Sequence, residues 1–177
     1  MKTSMAKWLV LMLLSLAPFA GFAQFTSASV RINGLTCSSC SMATEKAMMS
    51  LDFVEQVVMN LDAHVATVTF KAGQKVSLKA LAQKVVDAGF SVGHLEATLQ
   101  LNTPMALVDN SLAYGGDVYR FVSGQYSTFS TSVTITLVGS LYMDKGEFKK
   151  WKSRVDAAAK PTDNASPLVA VYYVTTP

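Results

Sequence analysis

From Ala28 to Leu101 the apolar positions switch between a period of two and a period near four. The switches mark out strand, helix, strand, strand, helix, strand. Ser29-Val30-Arg31-Ile32 alternates polar and apolar, which predicts a strand from Ser29 to Asn33. Ala43, Ala47 and Leu51 recur every four residues with Thr44 and Met48 beside them. They predict a helix over 39–51 with that stripe buried and Glu45 and Lys46 facing out. Period-two runs return at 54–61, where Val57, Met59 and Leu61 share a face, and at 65–70, where Ala66, Val68 and Phe70 do. The short polar break between the runs predicts a hairpin. Ser77 is placed to cap a second helix over 78–88, with Leu78, Leu81, Val85 and Ala88 on its apolar face and Gly89 ending it. A last strand fills 90–101, and Asn102-Thr103-Pro104 breaks it. The order β-α-β-β-α-β is the ferredoxin-like arrangement, an α+β sheet with two helices on one face. It sets the first strand-to-helix turn beside the turn between the second helix and the last strand. Phe90 then lies near that first turn, as core packing or as cover for it.

Residues 102–177 have a different texture. A strand over 113–122 bends at Gly115-Gly116, and a polar loop over 123–130 carries Tyr126 and Phe129. The clearest alternation is at 132–141, with Val133, Ile135 and Leu137 against Thr134 and Thr136. Asp144 and Glu147 stand at capping-box spacing before a helix whose inner face is Phe148, Trp151, Val155 and Ala158. Lys149, Lys150 and Lys152 read as its solvated side, Pro161 ends it, and a strand over 168–175 closes the chain. This half is expected to be a small β-rich unit with one helix, for which a partly open barrel is one fitting arrangement. The linker before it is short, so the halves are expected to pack together.

The first residues ask for a separate reading. Lys2 and Lys7 precede an almost unbroken apolar run from Trp8 to Ala17, Pro18 breaks it, and Gly21-Phe22-Ala23 follows with small residues. That is the layout of a signal peptide, and the run is shorter than the ~20 residues a spanning helix needs. Residues 1–23 are therefore expected to be cleaved, leaving an exported chain, periplasmic or secreted, with no membrane span. Removing Lys2 and Lys7 takes the formal charge from +3 to +1, so the basic balance belongs partly to the leader and points to no nucleic-acid partner. The expected organisation is a leader over 1–23, a ferredoxin-like domain over 28–101 and the β-rich unit over 102–177.

Chemistry concentrates in Gly34-Leu35-Thr36-Cys37-Ser38-Ser39-Cys40, which holds both cysteines of the chain. Thiolates are soft ligands, and a helix N-terminus favours the thiolate over the thiol. At a strand-to-helix turn the pair is a metal site, a redox pair or a structural disulfide. Two thiolates with no adjacent histidine or carboxylate suit a two-coordinate soft ion, whereas a closed zinc site takes four ligands. His64 and His94 read as a turn and a strand histidine, and Met42, Met48 and Met49 as core or surface packing. A redox enzyme of the C-x-x-C kind usually carries an aromatic before the first cysteine, where Thr36 stands here. A bridge this short would stabilise only modestly.

Residues 30–100 resemble the heavy-metal-associated domain family of copper chaperones, modules of copper-transporting ATPases and a periplasmic mercury-binding protein. The likeness rests on the Gly-Leu-Thr-Cys-Ser-Ser-Cys stretch at 34–40, Glu45-Lys46-Ala47, Val54 with the Val57/Met59/Leu61 strand, the Ala66/Val68/Phe70 strand, and Asp87-Ala88-Gly89-Phe90. Leu35 stands where methionine is usual, a buried prop that leucine can replace. The resemblance implies that Cys37 and Cys40 hold one soft ion, Cu(I) first, with Hg(II), Zn(II) or Ag(I) as other candidates. Thr36 looks like the copper and mercury members, and no carboxylate of the kind found in zinc- or lead-tuned members stands beside the cysteines. It further implies a non-enzymatic role in which the ion passes to a partner protein. The alternatives kept open are an extracytoplasmic thiol-disulfide redox protein and an interaction module whose cysteine pair is a structural disulfide. The resemblance says nothing about residues 102–177.

Overall fold

The computed structural model describes residues 24–164 and 169–177. The expected leader lies outside the described residues. The first six elements follow the predicted order: β1 (Gln24–Asn33), α1 (Ser38–Met49), β2 (Val54–Asn60), β3 (Val65–Phe70), α2 (Leu78–Asp87) and β4 (Ser91–Gln100). After them come β5 (Met105–Ala106), β6 (Ser111–Tyr114), β7 (Asp117–Phe121), β8 (Thr128–Phe129), β9 (Ser132–Val138), α3 (Lys145–Ala158), a 3₁₀ turn (Pro161–Asn164) and β10 (Val171–Thr175). The fold is α+β and ferredoxin-like through β4, with a β-rich continuation carrying one helix.

The sheet does not stop at β4. Its strand order is β2-β3-β1-β4-β9-β10-β7-β6, and β9 pairs with β4 from Glu96 opposite Thr136 to Gln100 opposite Ser132. All neighbours run antiparallel except β10 and β7. One hydrophobic cluster underlies both segments, from Val30, Ile32, Leu81, Val85 and Leu95 across to Ile135, Leu137, Phe121 and Val174. The far edge curls back. Tyr114 of β6 meets Phe25 of β1 edge-on at 5.1 Å, its hydroxyl accepts from the Phe25 N–H at 3.3 Å, and Tyr119 stacks on Tyr172 at 5.1 Å. The strands of the C-terminal segment thus extend the sheet of the first segment, and aromatic rings link its far edge to β1. Burial pushes the Tyr119 hydroxyl well above its ordinary value, so it stays protonated.

α2 matches its pattern. The Ser77 hydroxyl accepts from the Ala80 N–H at 3.2 Å, and Leu78, Leu81, Ala82 and Val85 are buried. It ends in a Schellman motif, with Gly89 N–H to Val86 O at 2.9 Å and Phe90 N–H to Val85 O at 3.1 Å. Gly89 sits at φ +90° with open space around its missing Cβ. Gly89→Ala is therefore expected to lower stability by about 1 kcal/mol through backbone strain alone, measured by denaturant unfolding.

α1 and α3 differ from expectation. In α1 the buried residues are Ser41, Thr44 and Met48, while Ala43 is exposed and Ala47 half-buried. The Ser41 and Thr44 hydroxyls donate to the Cys37 and Cys40 carbonyls at 3.3 and 3.0 Å, which lets these polar residues occupy the inner face. For α3 the predicted inner face is correct, with Phe148, Trp151, Val155 and Ala158 all half-buried. Its capping box does not form: Asp144 makes no side-chain cap bond and uses its carboxylate elsewhere.

Candidate metal centre

β1 ends at Asn33, and the chain turns through Gly34 (φ +88°) into the loop that carries the cysteines. Leu35 is 3% exposed and sits in the core, so it fills the prop position as expected. Cys37 is the N-cap of α1 in extended conformation, and its sulfur accepts from the Cys40 N–H at 3.2 Å. The Ser39 hydroxyl lies 3.2 Å from the same sulfur, and the Ser41 N–H bonds the Cys37 carbonyl at 3.2 Å. Cys40 falls in the first helical turn, where backbone N–H groups point outward and the helix dipole favours negative charge.

The two cysteines are bonded to each other as a disulfide, with Cα atoms 5.3 Å apart. Their surroundings differ. Cys37 is exposed, whereas Cys40 is half-buried and packs against the core. The arrangement presents two sulfurs together on a surface loop, one held by the helix and one at the loop's outer end. Among the described residues no group of three or more histidine, cysteine or acidic side chains is placed to hold a metal.

The turn after α2 lies alongside, as the ferredoxin-like order requires. A Cβ built on Gly34 would stand 3.5 Å from Phe90 Cδ1, so the half-buried Phe90 ring backs the loop while packing on the core. His64 occupies the β2–β3 turn at φ +53°, exposed, with its carbonyl accepting from Ile32 N–H at 2.9 Å. His94 is engaged in its strand: Nε2 is 3.0 Å from Glu96 Oε1 and Nδ1 is 3.9 Å from Glu147 Oε2. Of these three α1 methionines Met48 is core, while Met42 and Met49 are 69% and 43% exposed and lie at the surface. Both stand on the outer face of α1, seven residues apart. Lys149, Lys150 and Lys152 are exposed, as expected.

Residues that sequence reasoning missed sit at the root of the loop. The Asn33 amide donates to Asp144 Oδ1 at 2.5 Å, and the Asp144 N–H donates to the Gly93 carbonyl at 3.1 Å. Asn33 and Asp144 are 111 residues apart, and no local pattern links them. Among the described residues no helix is long and apolar enough to cross a membrane.

A family model described as the heavy-metal-associated domain matches residues 29–91. The copper chaperone CopZ of Bacillus subtilis (strain 168) is 36% identical over 64 residues, spanning 36% of this chain and 91% of that protein. The mercuric transport protein periplasmic component of Pseudomonas fluorescens is 32% identical over 62 residues, spanning 35% of this chain and 67% of that protein. The crystal structure of oxidized MerP from Ralstonia metallidurans CH34 aligns at 30% identity with a TM-score of 0.36, over 39% of this chain and 97% of that one. Each of these likenesses covers less than half of the chain.

Proposed function

The chain belongs to the heavy-metal-associated domain family, and from that premise we propose that it is an exported, non-enzymatic carrier. It binds one soft ion, Cu(I) first, through Cys37 and Cys40 and passes it to a partner protein. The observation that carries this reading is the pairing of an exposed and a half-buried cysteine at the first turn of α1. Two thiolates, with no third ligand grouped beside them among the described residues, suit an ion that accepts low coordination. The likeness to a copper chaperone and to a periplasmic mercuric transport component supports a soft ion, and the second supports an extracytoplasmic address. Hg(II), Ag(I) and Zn(II) are the other ions to which the site is open.

The disulfide form holds no metal. Loading requires the dithiol, which an external dithiol reductant provides by giving up two electrons and two protons and leaving as its own disulfide; the incoming ion then displaces the thiol protons. Transfer proceeds by exchange. A partner thiolate or thioether adds to the ion, a three-coordinate intermediate forms, and one of the original sulfurs leaves. Cys37 leaves first because it is exposed at the loop's outer end; Cys40, packed on the core, anchors the ion until the second ligand has arrived.

Anaerobic titration of the reduced protein with Cu(I), in competition with a chromogenic Cu(I) chelator, is expected to end at one equivalent per chain. Failure of the reduced protein to bind would sink the metal reading. The bonded cysteines favour a second reading, a thiol-disulfide exchange protein or a structural bridge. Catalysis of insulin reduction by the same sample would support the redox form of it, and neither binding nor catalysis would leave the bridge.

A further inference from the structure

The C-terminal segment meets the root of the cysteine loop at Asn33. Asn33 is the last residue of β1, directly before Gly34 and the turn to Cys37. Its side chain is fixed on two sides. Beneath it lies Gly93, where an added Cβ would come within 2.6 Å of Asn33 Oδ1, so only glycine leaves the amide room. Ahead of it stands Asp144, which accepts the amide at 2.5 Å and closes a ring by donating its own N–H to the Gly93 carbonyl at 3.1 Å. An isolated bridge between His94 and Met143 seats the neighbouring backbone. The Asp144 carboxylate stands at a helix N-terminus where a capping bond is the usual use for it, and it is spent on Asn33 instead.

We propose that Asp144 is a positioning residue for the cysteine pair: through Asn33 it fixes the root of the 34–37 loop, so that the C-terminal segment sets how readily Cys37 closes toward Cys40. This rests on the metal reading for its purpose but not for its mechanics. Closure of two sulfurs on a common ion and closure on each other both depend on the effective concentration of one sulfur at the other. A loop held at its root keeps that concentration high, and a freed root lowers it.

The test therefore uses two equilibria of the full protein. In the first, the disulfide is equilibrated with dithiothreitol, which takes up the bridge's oxidation as its own cyclic disulfide while Cys37 and Cys40 gain the two protons and two electrons. In the second, the reduced protein competes for Cu(I) with a chelator. Asp144→Ala and Asn33→Ala are each expected to weaken both closures by about fivefold, the size of one lost hydrogen bond. The double variant is expected to be no worse than either single one. Asp144→Asn retains an acceptor oxygen and is expected to stay within about twofold of wild type. Asp156→Ala, which breaks the exposed Lys152–Asp156 pair on the same helix, serves as the neutral control. If Asp144→Ala lowers the thermal midpoint but leaves the dithiothreitol equilibrium unchanged, Asp144 only joins the two segments and the proposal is overturned. If the wild type binds no Cu(I) while the dithiothreitol equilibrium shifts as stated, the positioning stands and the metal reading falls.

Discussion

Cys40→Ser is expected to lower Cu(I) affinity on the order of a thousandfold, and Cys37→Ser by a similar factor. In either variant the ion keeps one thiolate and loses a second that was held beside it at high effective concentration, a loss of avidity in the range 10²–10⁴. The serine hydroxyl is a hard, neutral donor and does not replace it. The variants should separate in kinetics even though they agree at equilibrium. Cys37 alone stands exposed at the N-cap, while Cys40 alone is half-buried against the core. Alkylation by iodoacetamide should therefore be severalfold faster in Cys40→Ser, which retains Cys37, than in Cys37→Ser. Competition titration with a Cu(I) chelator reads the first expectation and mass spectrometry of timed samples the second. Affinity within tenfold of wild type for either variant would mean that two-sulfur coordination is wrong. Equal alkylation would remove the basis for naming Cys37 the first to exchange.

The first half was legible because its signals are local. Each strand and helix from β1 to β4 has its own period, and Ser77 and Gly89 mark the ends of α2 through bonds that span five residues or fewer. The cysteine pair was legible for the same reason, since a turn, an N-cap and a first helical turn follow one another in sequence. What escaped was non-local or masked by polarity. The inner face of α1 turns on Ser41 and Thr44, whose hydroxyls satisfy carbonyls four residues back, so hydropathy alone aims at the alanines instead. The pairing of β9 with β4 joins the segments into one sheet, and strand patterns say which residues alternate but not which strands meet. Asp144 read as a local cap because Glu147 follows at the right spacing, while its partner Asn33 lies 111 residues away. The departures at Asp144 and in β9 arise where the C-terminal segment meets the metal-binding one, a contact that neither segment's own pattern contains.

Arg120→Ala is expected to cost about 3 kcal/mol of unfolding free energy, the largest stability effect foreseen outside the hydrophobic core. Arg120 on β7 is 8% exposed, and its guanidinium binds the Asp163 carboxylate, the Ala158 carbonyl at 3.0 Å and Ser111 Oγ at 3.4 Å. Asp163 also accepts from the Tyr173 hydroxyl at 2.9 Å and the Lys160 N–H at 2.8 Å. Removing the arginine leaves that carboxylate enclosed without its counter-charge and the end of α3 without its tie. Acid should report the same pair. Burial pushes the Asp163 carboxyl up, but the hydrogen bonds from Arg120, Lys160 and Tyr173 outweigh it and hold the group below the ordinary carboxylate range. A folded value below the unfolded one gives stability that is fully present above the unfolded value, about 3.9, and is lost as pH falls through the folded value. The wild type should therefore lose stability below about pH 4 partly through Asp163. In Arg120→Ala that share of the acid loss should shrink, because the strongest of the opposing bonds is gone. Asp163→Asn should then cost less in the Arg120→Ala background than in the wild type, a coupling that independent sites would not show. Urea unfolding at pH 7 and pH 3 across the four proteins measures all of this. Because α3 runs from its N-cap Asp144, bonded to Asn33 just before the cysteine loop, to Ala158 at Arg120, the same four proteins in dithiothreitol equilibrium ask whether the helix acts as a strut. An unchanged cysteine equilibrium in folded Arg120→Ala would confine the hold on the loop to the ring of Asn33, Gly93 and Asp144.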